Sequence, residues 1–123
     1  MITSNVAFYP CVDIEKTEQF YSKIIGLKLV FSGPGSRIFA CGAGGHFGFV
    51  EYPDKKAAKG RLCLSLNCET EEQVSEYYQA VIRAGGKPKG EPGLHLFQPV
   101  FSFFIEDPNG YLVEFQRIQG VQL

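Results

Sequence analysis

The sequence predicts an α+β fold: two tandem βαβββ repeats forming a cup-shaped, mostly antiparallel sheet with the helices on its outer face. Three observations lead there. Short apolar segments of strand character alternate with Gly-, Pro- and Asn-bearing turns along the chain. Two segments, one in each half, break that rhythm with helical spacing of their apolar residues. The halves then repeat one order of elements at an offset of roughly 55 to 57 residues, so that Phe20-Tyr21 is answered by Tyr77-Tyr78.

In the first half, Val6 to Val12 reads as a strand, and Asp13 is placed to cap a helix from about Glu15 to Ile25. Phe20, Tyr21, Ile24 and Ile25 give that helix its apolar stripe, and Gly26 ends it. Strands follow at Leu27 to Phe31, Arg37 to Cys41 and His46 to Tyr52. The turns between them are Ser32-Gly33-Pro34-Gly35-Ser36 and Gly42-Ala43-Gly44-Gly45. The second turn is Gly-rich, but it joins two strands. It therefore lacks the helix N-terminus that a phosphate-binding loop requires.

In the second half, Arg61 to Asn67 is a strand with Leu62, Leu64 and Leu66 on one face and Arg61, Cys63 and Ser65 on the other. A helix runs from about Glu71 to Ala84, with Val74, Tyr77, Tyr78, Val81 and Ile82 inward and Gly85-Gly86 as its stop. A weak strand is expected near Lys87 to Gly90, then a loop rich in Gly and Pro. Two strands, about Val100 to Ile105 and Tyr111 to Arg117, close the repeat as a hairpin around Asp107-Pro108-Asn109-Gly110. One domain is expected, with repeat one over about 5–52, a linker over 53–60 and repeat two over about 61–118.

Each repeat has one helix for four strands, so the helix covers one sheet face and the other faces curl toward each other around a cavity. Glu114 matters in that setting. It interrupts the apolar strand Tyr111-Leu112-Val113-Glu114-Phe115, on the face opposite Val113 and Phe115. A carboxylate there is a ligand in a cavity or one end of a buried polar pair.

Composition narrows the function classes. The chain has 123 residues and a net charge of −1, with no basic run to support nucleic-acid binding. No apolar stretch nears the roughly 20 residues that span a bilayer. Met1 to Asn5 lack the features of a signal peptide, so a cytoplasmic location is expected. Cys11, Cys41, Cys63 and Cys68 form no Cys-x-x-Cys pair and read as reduced thiols rather than as a zinc site.

The order Val12-Asp13-Ile14, Phe20-Tyr21, Gly26-Leu27 and then Phe104-Ile105-Glu106-Asp107-Pro108-Asn109-Gly110 with Glu114 resembles the vicinal-oxygen-chelate superfamily. That superfamily includes lactoylglutathione lyases, extradiol dioxygenases, fosfomycin-resistance enzymes and bleomycin-resistance proteins. The resemblance implies paired βαβββ modules, a ligand site in the cup and a homodimer. In metal-using members a divalent ion is held at the opening and final strands of each half. Carried over, the opening-strand positions fall on Val6 and Arg61, and neither side chain can ligate a metal. The final-strand positions fall on Glu114 and on Phe49, or on Glu51 if the strand is slid by two residues.

The resemblance thus implies the fold and argues against the metal, leaving at most Glu114 and Glu51 as ligands. Arg61 then takes the place of the ion, pairing with Glu114 or gripping an anionic ligand group. The expected function is a metal-independent small-molecule binding protein like the bleomycin-resistance branch, without cofactor and without nucleic-acid or membrane partners. Its aromatic or amphipathic ligand would meet Phe8, Phe47, Phe49, Glu51, Arg61, Cys63, Ser65, His95, Phe104 and Glu114. The alternative is a glyoxalase- or dioxygenase-like metalloenzyme with Glu114 as base or ligand. A third class is a structural partner whose cup is filled by its own side chains.

Overall fold

A computed structural model describes all residues, 1–123. The chain divides into two compact units, one of Met1–Gly60 with Pro108–Gly110, the other of Arg61–Asp107 with Tyr111–Leu123. Each is a four-stranded mixed sheet with one helical element, and together they make the tandem βαβββ fold.

The first unit runs β1 (Ala7–Pro10), α1 (Ile14–Gln19), β2 (Lys28–Gly33), β3 (Ser36–Cys41) and β4 (Gly45–Val50). Its sheet order is β1-β4-β3-β2, with β1 parallel to β4 and the other pairs antiparallel. The helix differs from expectation after Gln19. Phe20–Ile25 continues as π-helix, ending at Gly26 in the left-handed region with φ 86°. Its wider turn keeps Tyr21 and Ile25 on the same buried side as Ile14 and Thr17.

The core of this unit is aromatic. Tyr21 stacks on Phe49 at 4.5 Å, meets Phe47 edge-on at 6.3 Å and leans on Phe39 at 5.7 Å. Such pairs add directional attraction to a large buried area. Arg37 of β3 is buried beside them. Its Nε donates to Glu18 Oε1 at 2.5 Å, and its Nη1 donates to the carbonyls of Gly33 and Ser36. A guanidinium can be buried here because carboxylate and carbonyl oxygens replace its water.

Two carboxylates satisfy the N-terminus of α1. Asp13 Oδ1 accepts from the Lys16 amide at 3.0 Å, and Glu51 Oε1 accepts from the Ile14 amide at 3.0 Å. Asn109 belongs to this unit as well. Its Oδ1 accepts from the Val12 amide at 2.8 Å, and its Nδ2 donates to Thr17 Oγ1 at 3.3 Å.

The second unit runs β5 (Cys63–Asn67), α2 (Glu71–Arg83), β6 (Gly93–Leu94), β7 (Val100–Glu106) and β8 (Leu112–Ile118), with sheet order β5-β8-β7-β6. Thr70 caps α2, accepting from the Gln73 amide at 3.1 Å. Tyr77 stacks on Phe115 at 4.8 Å, and Tyr78 meets Phe103 edge-on at 5.3 Å, so α2 covers the face that carries Phe103, Val113 and Phe115. The strand expected near Lys87 to Gly90 does not form. Pro88 has no amide to donate, and one backbone bond, Lys89 N–H to the Phe104 carbonyl, touches β7 there. The fourth strand is instead β6, paired with β7 from Gly93 to Ser102 and from Leu94 to Phe101.

Candidate ligand site on the second sheet

The register of β5, β7 and β8 assembles the site. Ser65 lies opposite Glu114 across the β5–β8 pair, and Phe104 lies opposite Glu114 across the β7–β8 pair. Side chains alternate along each strand, so Cys63, Ser65, Phe104 and Glu114 share the face away from α2. Glu114 is only 8% exposed. Its Oε1 accepts from Ser65 Oγ at 2.7 Å and from the Cys63 thiol at 3.8 Å. Burial pushes the Cys63 thiol above its ordinary value. The Ser65 hydrogen bond lowers it in part, and the Glu114 charge adds to the rise.

A cavity of about 440 Å³ adjoins this face. Residues Ser102 to Phe104 of β7 line one side, and the segment before β7 supplies Leu94, His95, Leu96 and Phe97, with Lys89 and Glu91 beside them. Leu96 and Phe97 are 89% and 84% exposed, an unusual outlay of apolar surface on one loop. The His95 amide donates to the Val100 carbonyl, and His95 Nδ1 accepts from the Phe97 amide at 3.1 Å. Phe97, Leu94 and Leu96 were not among the residues expected from sequence. The signal that could have found them is the apolar run Leu94-His95-Leu96-Phe97 inside an otherwise Gly- and Pro-rich loop.

Other expected residues lie elsewhere. Phe47 and Phe49 point toward the helix side of the first sheet, and Phe49 is fully buried against Tyr21. They are core, not cavity wall. Glu51 is a helix cap, held by the Ile14 amide. Phe8 lies on the face of the first sheet opposite Phe47 and Phe49, half exposed, with Gly48 as its direct partner on β4. Arg61 precedes β5 and is exposed. Glu114 takes its hydrogen bonds from Ser65 and Cys63, and the three ion pairs of the chain involve Arg37 and Lys89.

The register also corrects how the halves correspond. The Cys11 amide donates to the Val50 carbonyl as the Cys68 amide donates to that of Gln116. Counting back from those bonds, Phe8 opposite Gly48 corresponds to Ser65 opposite Glu114. The counterpart of Glu114 is therefore Gly48, not Phe49 or Glu51. By the same count the counterpart of Val6 is Cys63, not Arg61; the caps Asp13 and Thr70 share that spacing. Of the four positions that hold a divalent ion in metal-using vicinal-oxygen-chelate proteins, Val6 and Gly48 offer no donor atom, and Cys63 and Glu114 offer one side chain each. No group of three or more His, Cys, Asp or Glu side chains comes together in the chain. The residues present do not fit that ion.

No helix is long and apolar enough to cross a membrane. Among curated proteins none matches the chain in sequence. Solved structures share its fold. A glyoxalase/bleomycin resistance protein/dioxygenase from Nocardioides superposes with a TM-score of 0.77 at 17% identity, over 100% of this chain and 90% of that one. Lactoylglutathione lyase from Agrobacterium tumefaciens gives 0.73 at 19% identity, over 95% and 92%. TioX from Micromonospora sp. ML1 gives 0.75 at 16% identity, over 94% and 98%. The family model of the Glyoxalase/Bleomycin resistance protein/Dioxygenase superfamily matches residues 4–115, and with the paired four-stranded units it establishes that the chain belongs to that superfamily.

Proposed function

We propose that this protein binds a small aromatic or amphipathic molecule without a metal ion, in the manner suggested by the bleomycin-resistance side of its superfamily. The observation that carries the reading is a buried carboxylate, Glu114, lying directly across the β7–β8 pair from Phe104, which lines a cavity of about 440 Å³ together with the Leu94–Phe97 segment. That volume is in the range of small-molecule pockets, and a mostly apolar wall with a few fixed polar groups is their usual make-up. The donor-poor positions Val6 and Gly48 support a site that works without the ion.

The test is a fragment screen by protein-observed NMR on the full chain. The expected result is a set of planar aromatic fragments that shift the resonances of Phe97, His95 and Phe104. Absence of any such shift in folded protein would count against the reading. The same reading takes the protein as a homodimer, which sedimentation equilibrium checks.

The cluster Glu114–Ser65–Cys63 favours one second reading, a superfamily enzyme with Glu114 as general base. The carboxylate is held in place by a hydroxyl, as a base positioned for proton abstraction needs to be. Elemental analysis before and after loading with Zn, Ni, Mn and Fe(II) tests the metal-using form of that reading. A stoichiometric ion lost in Glu114→Ala would select the metalloenzyme.

A further inference from the structure

We infer that the ligand carries a primary ammonium group, and that Glu114, Ser65 and Phe104 form its subsite, which reaches the cavity through Phe104. The inference rests on the small-molecule reading above and narrows it to a chemical class. Both hydrogen bonds to the Glu114 side chain land on Oε1, and Oε2 has no partner in the protein. No buried side-chain oxygen lacks a partner, so the unpartnered Oε2 is the oxygen that keeps some exposure to solvent. A carboxylate more than nine-tenths buried, with one oxygen fixed and the other open, is arranged to receive a donor from outside the chain.

The protein's own cations do not fill that role. Arg37 is committed to Glu18 and Glu15, and Lys89 to Glu106. Arg61 lies four residues ahead of Ser65, roughly 13 Å along an extended strand, whereas Ser65 is the residue level with Glu114.

The geometry also selects among cations. A guanidinium grips a carboxylate through both oxygens, and here Ser65 already occupies Oε1. An ammonium needs one oxygen. Its remaining N–H groups can use the Ser65 Oγ lone pairs, since that hydroxyl spends its proton on Glu114. Phe104, the direct cross-strand partner of Glu114, offers a π-face at the same level. Phe104 also lines the cavity, so a short chain from the ammonium leads past Phe104 toward Phe97.

The experiment compares 2-phenylethylamine, 2-phenylethanol and phenylacetate on the full chain in EDTA-treated buffer, by titration calorimetry or NMR. The amine should bind at least about tenfold more tightly than the alcohol, the factor that one charge-assisted hydrogen bond supplies. Phenylacetate should bind most weakly. Glu114→Gln should bring the amine down to the affinity of the alcohol measured on the same variant, and Phe104→Leu should weaken the amine more than the alcohol. If Glu114→Gln does not fold, the three-ligand comparison on the unmodified chain decides. Equal affinity for amine and alcohol, or an amine affinity indifferent to Glu114→Gln, overturns the ammonium subsite and leaves the small-molecule reading standing. No binding of the amine while screened fragments still bind at Phe104 has the same meaning. No binding of any fragment or probe overturns both.

Discussion

Ser65 Oγ donates to Glu114 Oε1 at 2.7 Å, and the two residues are direct partners across the parallel β5–β8 pair. The hydroxyl is the strong donor to this carboxylate, because the other, the Cys63 thiol, stands 3.8 Å away. Ser65→Ala should therefore lower stability by about 1–3 kcal/mol, the cost of leaving a buried acceptor underused. Urea denaturation measures it. A change within error would mean that water already satisfies Glu114.

Cysteine chemistry gives a pH-dependent prediction. Burial pushes the Cys41 and Cys68 thiols up to about 11, and the exposed Cys63 is raised as well. A raised thiol pKa means less thiolate at a given pH, so alkylation of each should keep accelerating above pH 9 instead of levelling there. Cys63 should react first with iodoacetamide. Glu114→Gln removes the negative charge beside it, lowers its pKa and should speed its alkylation at pH 8. Mass spectrometry of a time course reads both results, and an unchanged Cys63 rate would show that the carboxylate does not act on the thiol. The same shifts bear on stability. The folded chain holds these protons more tightly than the unfolded one, so the contribution of Cys41 and Cys68 is present below pH 9 and is lost as pH rises from 9 to about 11.

Gly48 makes room for an aromatic ring. A Cβ built on it would lie 2.6 Å from Phe8 Cδ1 and 3.1 Å from Val6 Cγ2. Gly48→Ala should displace the Phe8 ring and cost about 1 kcal/mol, at the lower end of overpacking because Phe8 is half exposed and can turn aside. In the Phe8→Ala background the same change should be close to neutral. A double-mutant cycle measures this coupling, and additive effects would refute the contact.

Glu51 should behave as a cap and not as a ligand. Glu51→Ala removes the acceptor of the Ile14 amide and is expected to cost about 1 kcal/mol, as Asp13→Ala should for the Lys16 amide. Fragment binding near Phe104 should stay as it was. A stable Glu51→Ala protein with altered binding would return Glu51 to the site.

The repeat, the two helical segments, the Asp13 cap, the glycine stops and seven of the strands were legible from local signals: apolar spacing, Asp before a helix, Gly after it, and Asp-Pro-Asn-Gly between strands. These depend on residues a few positions apart, which a sequence displays directly. The polar face with Cys63, Ser65, Phe104 and Glu114 was legible for the same reason, since alternation along one strand is local. Which face of a neighbouring strand turns to the helix is not local. It depends on register, and a slip of one residue exchanges every side chain between faces. Phe47 and Phe49 went to the core, and Gly48 rather than Phe49 or Glu51 became the counterpart of Glu114, because Phe8 pairs with Gly48 and Tyr21 stacks on Phe49. Asn109 makes the same point. Sequence marked it as a turn residue, but only the fold could bring its amide to Val12 and Thr17, more than ninety positions away. Local chemistry wrote the elements. Long-range pairing decided which side chains face a ligand and which fill the core.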